Sequence, residues 1–271
     1  MSYLNTKLGE FLGIKTIEGP AFGVELEMEG RGFRMSKNPT DWSSADDGSL
    51  RGAENIEWVM RKPKKLEQAK ADVSALYAAL ADNNAVITDS MRAGVHVHVN
   101  CSDLTIQQFW TFLALYHCLE IPLTDLLGED RVGNLFCLRL IDAEMQAFVI
   151  MENLRKGKMV FQENIRYAAS NLCALNRYGS LEFRAMQTPT TAEPVLTWLD
   201  LLSSLREASL NYSTPVDVVT AFSADGEETV IRRVFGDHAH MLLNQAGIDA
   251  KVRKSIRTAQ NWIYSHNWET I

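Results

Sequence analysis

GVHVHVN, residues Gly94–Asn100, decides how this chain is read. Successive side chains of a strand point to opposite faces. Val95, Val97 and Val99 therefore share one face, and His96, His98 and Asn100 share the other. The valine face suits a core. The polar face is one that a buried sheet carries only where its groups are bonded or used. The same alternation recurs elsewhere. In GVELEME (Gly23–Glu29), Val24, Leu26 and Met28 oppose Glu25, Glu27 and Glu29. In GSLEFRAM (Gly179–Met186), Leu181 and Phe183 oppose Glu182 and Arg184. ENIEWVMR (Glu54–Arg61) is a further candidate strand.

Apolar residues at helical spacing predict helices over about 64–80, 105–127, 142–154, 193–210 and 250–264. KNPTDWSSADDGSL (Lys37–Leu50) reads as loop from its Pro, Asn, Asp and Gly. Half-polar strands favour a sheet with one covered and one open face, usually antiparallel, and the fold class expected is α+β. The sheet is largely antiparallel and curved, backed by helices, with one polar ligand-binding face. We expect one domain over 1–271, with the motifs in 20–198 and a helical extension in 212–271.

The 271 residues carry a net charge of −7, which argues against a nucleic-acid partner, because phosphate backbones call for a basic surface. Four cysteines without a CxxC pair read as reduced, buried thiols of a cytoplasmic protein. MSYLNTKLGEFLGIKT lacks the basic and apolar regions of a signal peptide. FWTFLALYHCLEIPL is interrupted by His117, Glu120 and Pro122, so no membrane span is expected. RKPKK (Arg61–Lys65) reads as a solvated helix start, His238 and His240 as surface, and Phe109, Trp110 and Phe112 as core.

Each polar strand face has an ordinary reading. ExExE suits a solvated edge strand, HVH a hydrogen-bonded half-buried pair, and Glu182/Arg184 a same-strand ion pair. Brought into one sheet, however, the three faces line an open trough of carboxylates, imidazoles and a guanidinium. Such a trough can hold divalent cations between carboxylates and phosphates.

The ordered series GVELE, DGSL, IEWV, GVHVHVN, DRVGNLFC, RYAASNL and GSLEFR resembles the amidoligases of the carboxylate–amine ligase superfamily, whose core is similar to glutamine synthetase and glutamate–cysteine ligase. The resemblance runs from about Gly23 to about Trp198. It implies an ATP- and Mg²⁺-dependent ligase that forms an amide or peptide-like bond through an acyl phosphate. Two or more Mg²⁺ ions would be held by Glu25, Glu27, Glu57 and Glu182, with Asp47 at a further acidic position. His96, His98, Arg131, Asn171 and Arg184 would meet the nucleotide, its phosphates or the substrate. Arg184, His96 and Glu27 would act in catalysis. The chain has WVMRKP where the family often has Ser-Pro, so either Glu54 or Glu57 is the ligand.

Substrates implied are small-molecule, peptide or protein carboxylates and amines. Related ligases often assemble, which makes a homo-oligomer an expectation, and members occur in bacterial and bacteriophage genomes. The residues leave two other readings open. One is a metal-dependent hydrolase or phosphotransferase on the same sheet; the other is an inactive binding or structural protein on this scaffold.

Overall fold

The computed structural model describes residues 3–51 and 54–269. Among them, seven strands form one sheet: β1 (Phe22–Arg31), β2 (Trp42–Ala45), β3 (Glu54–Met60), β4 (Val86–Thr88), β5 (Gly94–Asn100), β6 (Ser170–Asn171) and β7 (Ser180–Gln187). The order is β2-β3-β1-β5-β7-β6, with β4 on the far end of β1, and every pairing is antiparallel. The fold is α+β, with helices α1 (Leu8–Leu12), α2 (Leu66–Asp82), α3 (Ile106–Thr124), α4 (Glu144–Lys156), α5 (Cys173–Tyr178), α6 (Glu193–Ser209), α7 (Pro215–Asp225), α8 (Glu227–Phe235), α9 (Ala239–Leu243) and α10 (Ile248–Ile263).

Alternation does what the pattern requires. Val24, Leu26, Trp58, Val95, Val97, Leu181 and Phe183 are buried in one apolar core, which runs from Leu4 to Trp268. That core includes Val218, Val234 and Trp262, so the helices after residue 212 pack into the same interior. At its centre lies α3, buried without interruption from Phe109 to Thr124. A helix apolar on all sides is a core helix. Phe112 and Tyr116 pack on Phe183 of β7, while Trp110 and His117 pack on Trp262 of α10. The helix starts where a capping box closes it. Thr105 Oγ1 accepts from the Gln108 N–H, and Gln108 Oε1 accepts from the Thr105 N–H. No helix of the described residues is long and apolar enough to cross a membrane.

Three elements depart from the expected pattern. The stretch read as loop contains β2, an edge strand pairing Trp42–Ala45 with β3. Its Trp42 is buried, but the two serines beside it erase the alternation that would mark a strand. β4 and β6 span three and two residues, too short for any period to show. The β5–β7 register also slips between Val95 and Val97, so Arg184 and Ala185 together stand opposite His96 alone. Such a bulge re-aims side chains at its position.

Candidate active site

The open face of the sheet forms a cavity of about 400 Å³, lined by Glu25, Glu27, Asp47, His96, His98, Arg131, Asn171, Glu182 and Arg184 among others. Register brings these residues together: Glu25 lies opposite His96, Glu27 opposite Glu57, and Glu182 lies between His98 and Asn171. Antiparallel partners share a face, so one row of polar side chains crosses β3, β1, β5, β7 and β6.

His96 is the hub. Its Nδ1 lies 3.3 Å from Glu25 Oε2, 3.3 Å from Arg184 Nη1 and 3.7 Å from Glu182 Oε1, while its Nε2 lies 3.7 Å from Glu27 Oε1. One ring nitrogen cannot both donate to a carboxylate and accept from a guanidinium, so the neighbours compete for it. Arg184 Nη1 also donates to Glu182 Oε1, and Asn171 Nδ2 donates to Glu182 Oε2 at 2.6 Å. The Arg184 Nε is buried and has no hydrogen-bond partner.

Among the described residues, two groups have the spacing of cation ligands. In each of Glu25/His98/Glu182 and Glu27/Asp47/Glu57, one ligand atom per residue lies within 4.8 Å of the others. The second group is entirely carboxylate, the ligand type that hard Mg²⁺ takes; the first adds an imidazole. Burial and the neighbouring charges of Glu25, Glu27 and Asp47 push Glu57 up to about 7. Burial also raises Glu27, against the opposing pull of His96, Arg184 and the Gly94 N–H. For Glu25, burial opposes ionisation, yet hydrogen bonds to His96 and His98 hold its carboxyl well below the usual range. His98 is the reciprocal case: burial disfavours its charge, but Glu25 and Glu182 raise it. Carboxylates this close repel one another, and a divalent cation between them removes that repulsion.

The two candidate glutamates on β3 separate by face. Glu57 joins Glu27 and Asp47, whereas Glu54 Oε2 accepts from the Gly32 and Phe33 N–H groups and secures the turn after β1. Arg131 lines the cavity too. It is buried, and its Nη2 donates to the Arg184 carbonyl at 2.7 Å. Gly94 is what admits it. A Cβ there would lie 2.8 Å from Arg131 Nη2 and 3.4 Å from Glu27 Oε2, and the Gly94 N–H donates to that same carboxylate oxygen at 2.9 Å. Asn100, on the polar face of β5, is consumed as a staple: its Nδ2 donates to the Ile17 and Gly19 carbonyls and to Asp103 Oδ1.

Sequence reasoning missed the opposite rim. Arg92 stacks on Phe136, Phe136 meets Tyr167 edge-on, and Arg166 stacks on Tyr167, all lining the same cavity. Phe136, Arg166 and Tyr167 lie inside DRVGNLFC and RYAASNL, so their place in those motifs was the available signal. The trough thus has an acidic floor on β1 and β3 and a cationic wall along Arg92, Arg166 and Arg184.

The family comparison covers part of this region, and Glu25, Glu27, Asp47 and Glu57 lie before it. Residues 59–205, more than half of the chain, match the model of a family described as "Putative amidoligase enzyme". A search of curated proteins returned no match. The matched segment holds β5, β6 and β7 with His96, His98, Asn171, Glu182 and Arg184, and it points to an enzyme that forms amide bonds. The chain belongs to the amidoligase family.

Proposed function

We propose that the protein is an ATP- and Mg²⁺-dependent carboxylate–amine ligase with a core of the glutamine synthetase and glutamate–cysteine ligase type, working through an acyl phosphate. The observation that carries this reading is the pair of three-residue ligand groups placed side by side on β1, β3, β5, β7 and the loop after β2, with Arg184 beside them. A carboxylate is a poor acylating agent. Phosphoryl transfer from ATP makes it reactive, and that transfer demands charge neutralisation more than covalent help from the protein.

The donor set fits divalent ions. Glu27, Asp47 and Glu57 would hold one, and Glu25, His98 and Glu182 another; the ions would neutralise phosphate charge. Arg184, its Nε unpartnered, stands where a fixed guanidinium can take up charge on the transferred group. His96 lies within reach of both carboxylate groups and of Arg184, and keeps the three in register. Arg131 supports Arg184 through its carbonyl. Arg92 and Arg166 on the opposite wall suit the acid substrate, which guanidinium groups bind with fixed geometry.

A second cavity of about 460 Å³ joins the trough at Glu25, His98 and Tyr178. Val24, Val59, Met60 and Pro63 give it an apolar lining, and Lys15, Arg61, Lys62 and Arg177 surround it. Apolar walls with cations at the edge suit a nucleoside whose phosphates run toward the two ligand groups.

Calorimetry with Mg·ATP tests this reading on the wild type and on the Glu27→Ala/Arg184→Ala double variant. Micromolar, Mg²⁺-dependent binding that weakens in the double variant is expected, followed by ADP release that requires both an acid and an amine. A folded wild type that binds no Mg·ATP refutes it. Turnover needing no amine would assign the trough to a hydrolase instead.

A further inference from the structure

The strand that carries Asn171 is the shortest in the sheet. β6 is two residues long and sits at the edge, so backbone pairing alone fixes it weakly. Its two side chains point to opposite faces. Asn171 is on the trough, donating to Glu182 Oε2 at 2.6 Å, and Ser170 is on the core side, fully buried. Behind Ser170 lies a buried chain of polar groups that the trough itself does not use. Ser170 Oγ is 2.9 Å from His117 Nε2, and Gln146 Nε2 donates to Ser170 Oγ at 3.0 Å and to its carbonyl at 2.8 Å. Trp262 Nε1 donates to His117 Nδ1 at 3.2 Å.

The direction of this chain follows from its first member. An indole N–H can only donate, so His117 Nδ1 accepts and Nε2 carries the ring proton toward Ser170 Oγ. Burial keeps the ring neutral, with its titration held down to about 3. Side chains from α3 and α4 therefore converge on one hydroxyl, with α10 behind His117, and that hydroxyl belongs to the residue before Asn171.

We propose that His117 is a positioning residue for Glu182, acting through Ser170 and Asn171, and that α10 is coupled to the active site through the Trp262–His117 hydrogen bond. The proposal rests on the reading of Glu182 as a metal-holding carboxylate. Groups that orient metal ligands from behind typically change affinity by about 10–100-fold when removed. It also gives the C-terminal helices, which lie beyond the family match, a role in the site.

The test uses the full chain with three substitutions. His117→Phe keeps a ring and removes both nitrogens. His117→Gln places an amide nitrogen near the Nε2 position. Ser170→Ala deletes only the hydroxyl, and serves should the Phe variant fail to fold. Two readouts are taken: the Asn171 side-chain amide signals in ¹H–¹⁵N spectra without metal, and Mn²⁺ binding followed by electron paramagnetic resonance.

His117→Phe and Ser170→Ala are expected to shift the Asn171 signals and to weaken Mn²⁺ binding about tenfold, with His117→Gln restoring both. Folded variants with wild-type Asn171 signals and Mn²⁺ affinity would overturn the proposal. So would equal losses in the Phe and Gln variants, which would mean that His117 matters only for packing. A wild type that binds no Mn²⁺, while its Asn171 signals still answer to His117→Phe and recover in His117→Gln, would sink the metal reading and uphold the positioning role.

Discussion

Replacing Glu120 with glutamine isolates the cost of ionising a buried carboxyl that does not line the candidate active site. Glu120 lies on α3 with 2% of its surface exposed. Its Oε2 accepts from the Leu140 N–H at 2.7 Å, and its Oε1 has no hydrogen-bond partner. Burial pushes its titration from 4.5 up to about 8, although the Leu140 N–H and Arg139 oppose the rise. The folded state therefore keeps a proton that the unfolded chain releases. Stability from this group is complete below pH 4.5 and is lost as the pH rises through about 8. A separation of that size corresponds to roughly 3–5 kcal/mol withheld from folding above pH 8.

Glutamine offers the same acceptor to Leu140 and cannot ionise. Urea unfolding of both proteins at a series of pH values from 5 to 8.5 measures the difference, because every other titrating group is common to both. The stability curves should lie close together at pH 5 and diverge steadily upward, with Glu120→Gln the more stable at pH 8.5. A constant offset across the whole range would refute the reasoning, since it would mean that the carboxyl ionises alike in both states.

Gly94→Ala should cost about 1–3 kcal/mol by urea unfolding, because the new methyl meets a buried guanidinium that is bonded to the Arg184 carbonyl. The same change should weaken Mn²⁺ binding by displacing Glu27. Arg206 donates through Nη2 to both oxygens of Asp103, at 2.7 and 2.8 Å, and through Nε to the Asn100 carbonyl at 3.0 Å. Arg206→Ala leaves Asp103 without its charge partner and should lower stability by about 3–5 kcal/mol in thermal or urea unfolding. Mn²⁺ at a hundred times its dissociation constant should stabilise the wild type by about 2.7 kcal/mol, roughly 5–10 °C in melting temperature. Glu27→Ala should reduce that rise, leaving what the Glu25, His98 and Glu182 group supplies, and an equal rise in both would remove Glu27 from the ligand set.

Legibility in the sequence followed period and length. β1, β5 and β7 could be read because each alternates over enough residues for a face to emerge, and those faces are what place Glu25, Glu27, His96, His98, Glu182 and Arg184 in one row. β2, β4 and β6 could not, because two to four residues carry no period. Glu57 and Glu54 were told apart only by register, which depends on long-range pairing with β1. Arg131 was visible as a motif residue, but its commitment to the Arg184 carbonyl depends on the space left by Gly94, a packing fact that no spacing encodes. The stacked wall of Arg92, Phe136, Tyr167 and Arg166 joins three separate segments, so no local pattern announces it. His117 read as an interruption in an apolar helix; its partners lie 53 and 145 residues away along the chain.

The burial of α3 on every side has a consequence for how the protein is made. One flank is closed by the sheet, through Phe183, and the other by α10, through Trp262. Translation delivers α3 well before either cover. About 60 residues separate its end from Phe183 and about 120 separate it from the start of α10, so at ~5–20 residues per second the outer flank stays bare for roughly 6–25 s. During that interval the nascent chain presents Trp110 and its neighbours on the α10-facing flank to water. A chaperone that grips apolar segments at the ribosome would find its target there, and a message cut short before α10 would yield a sticky product.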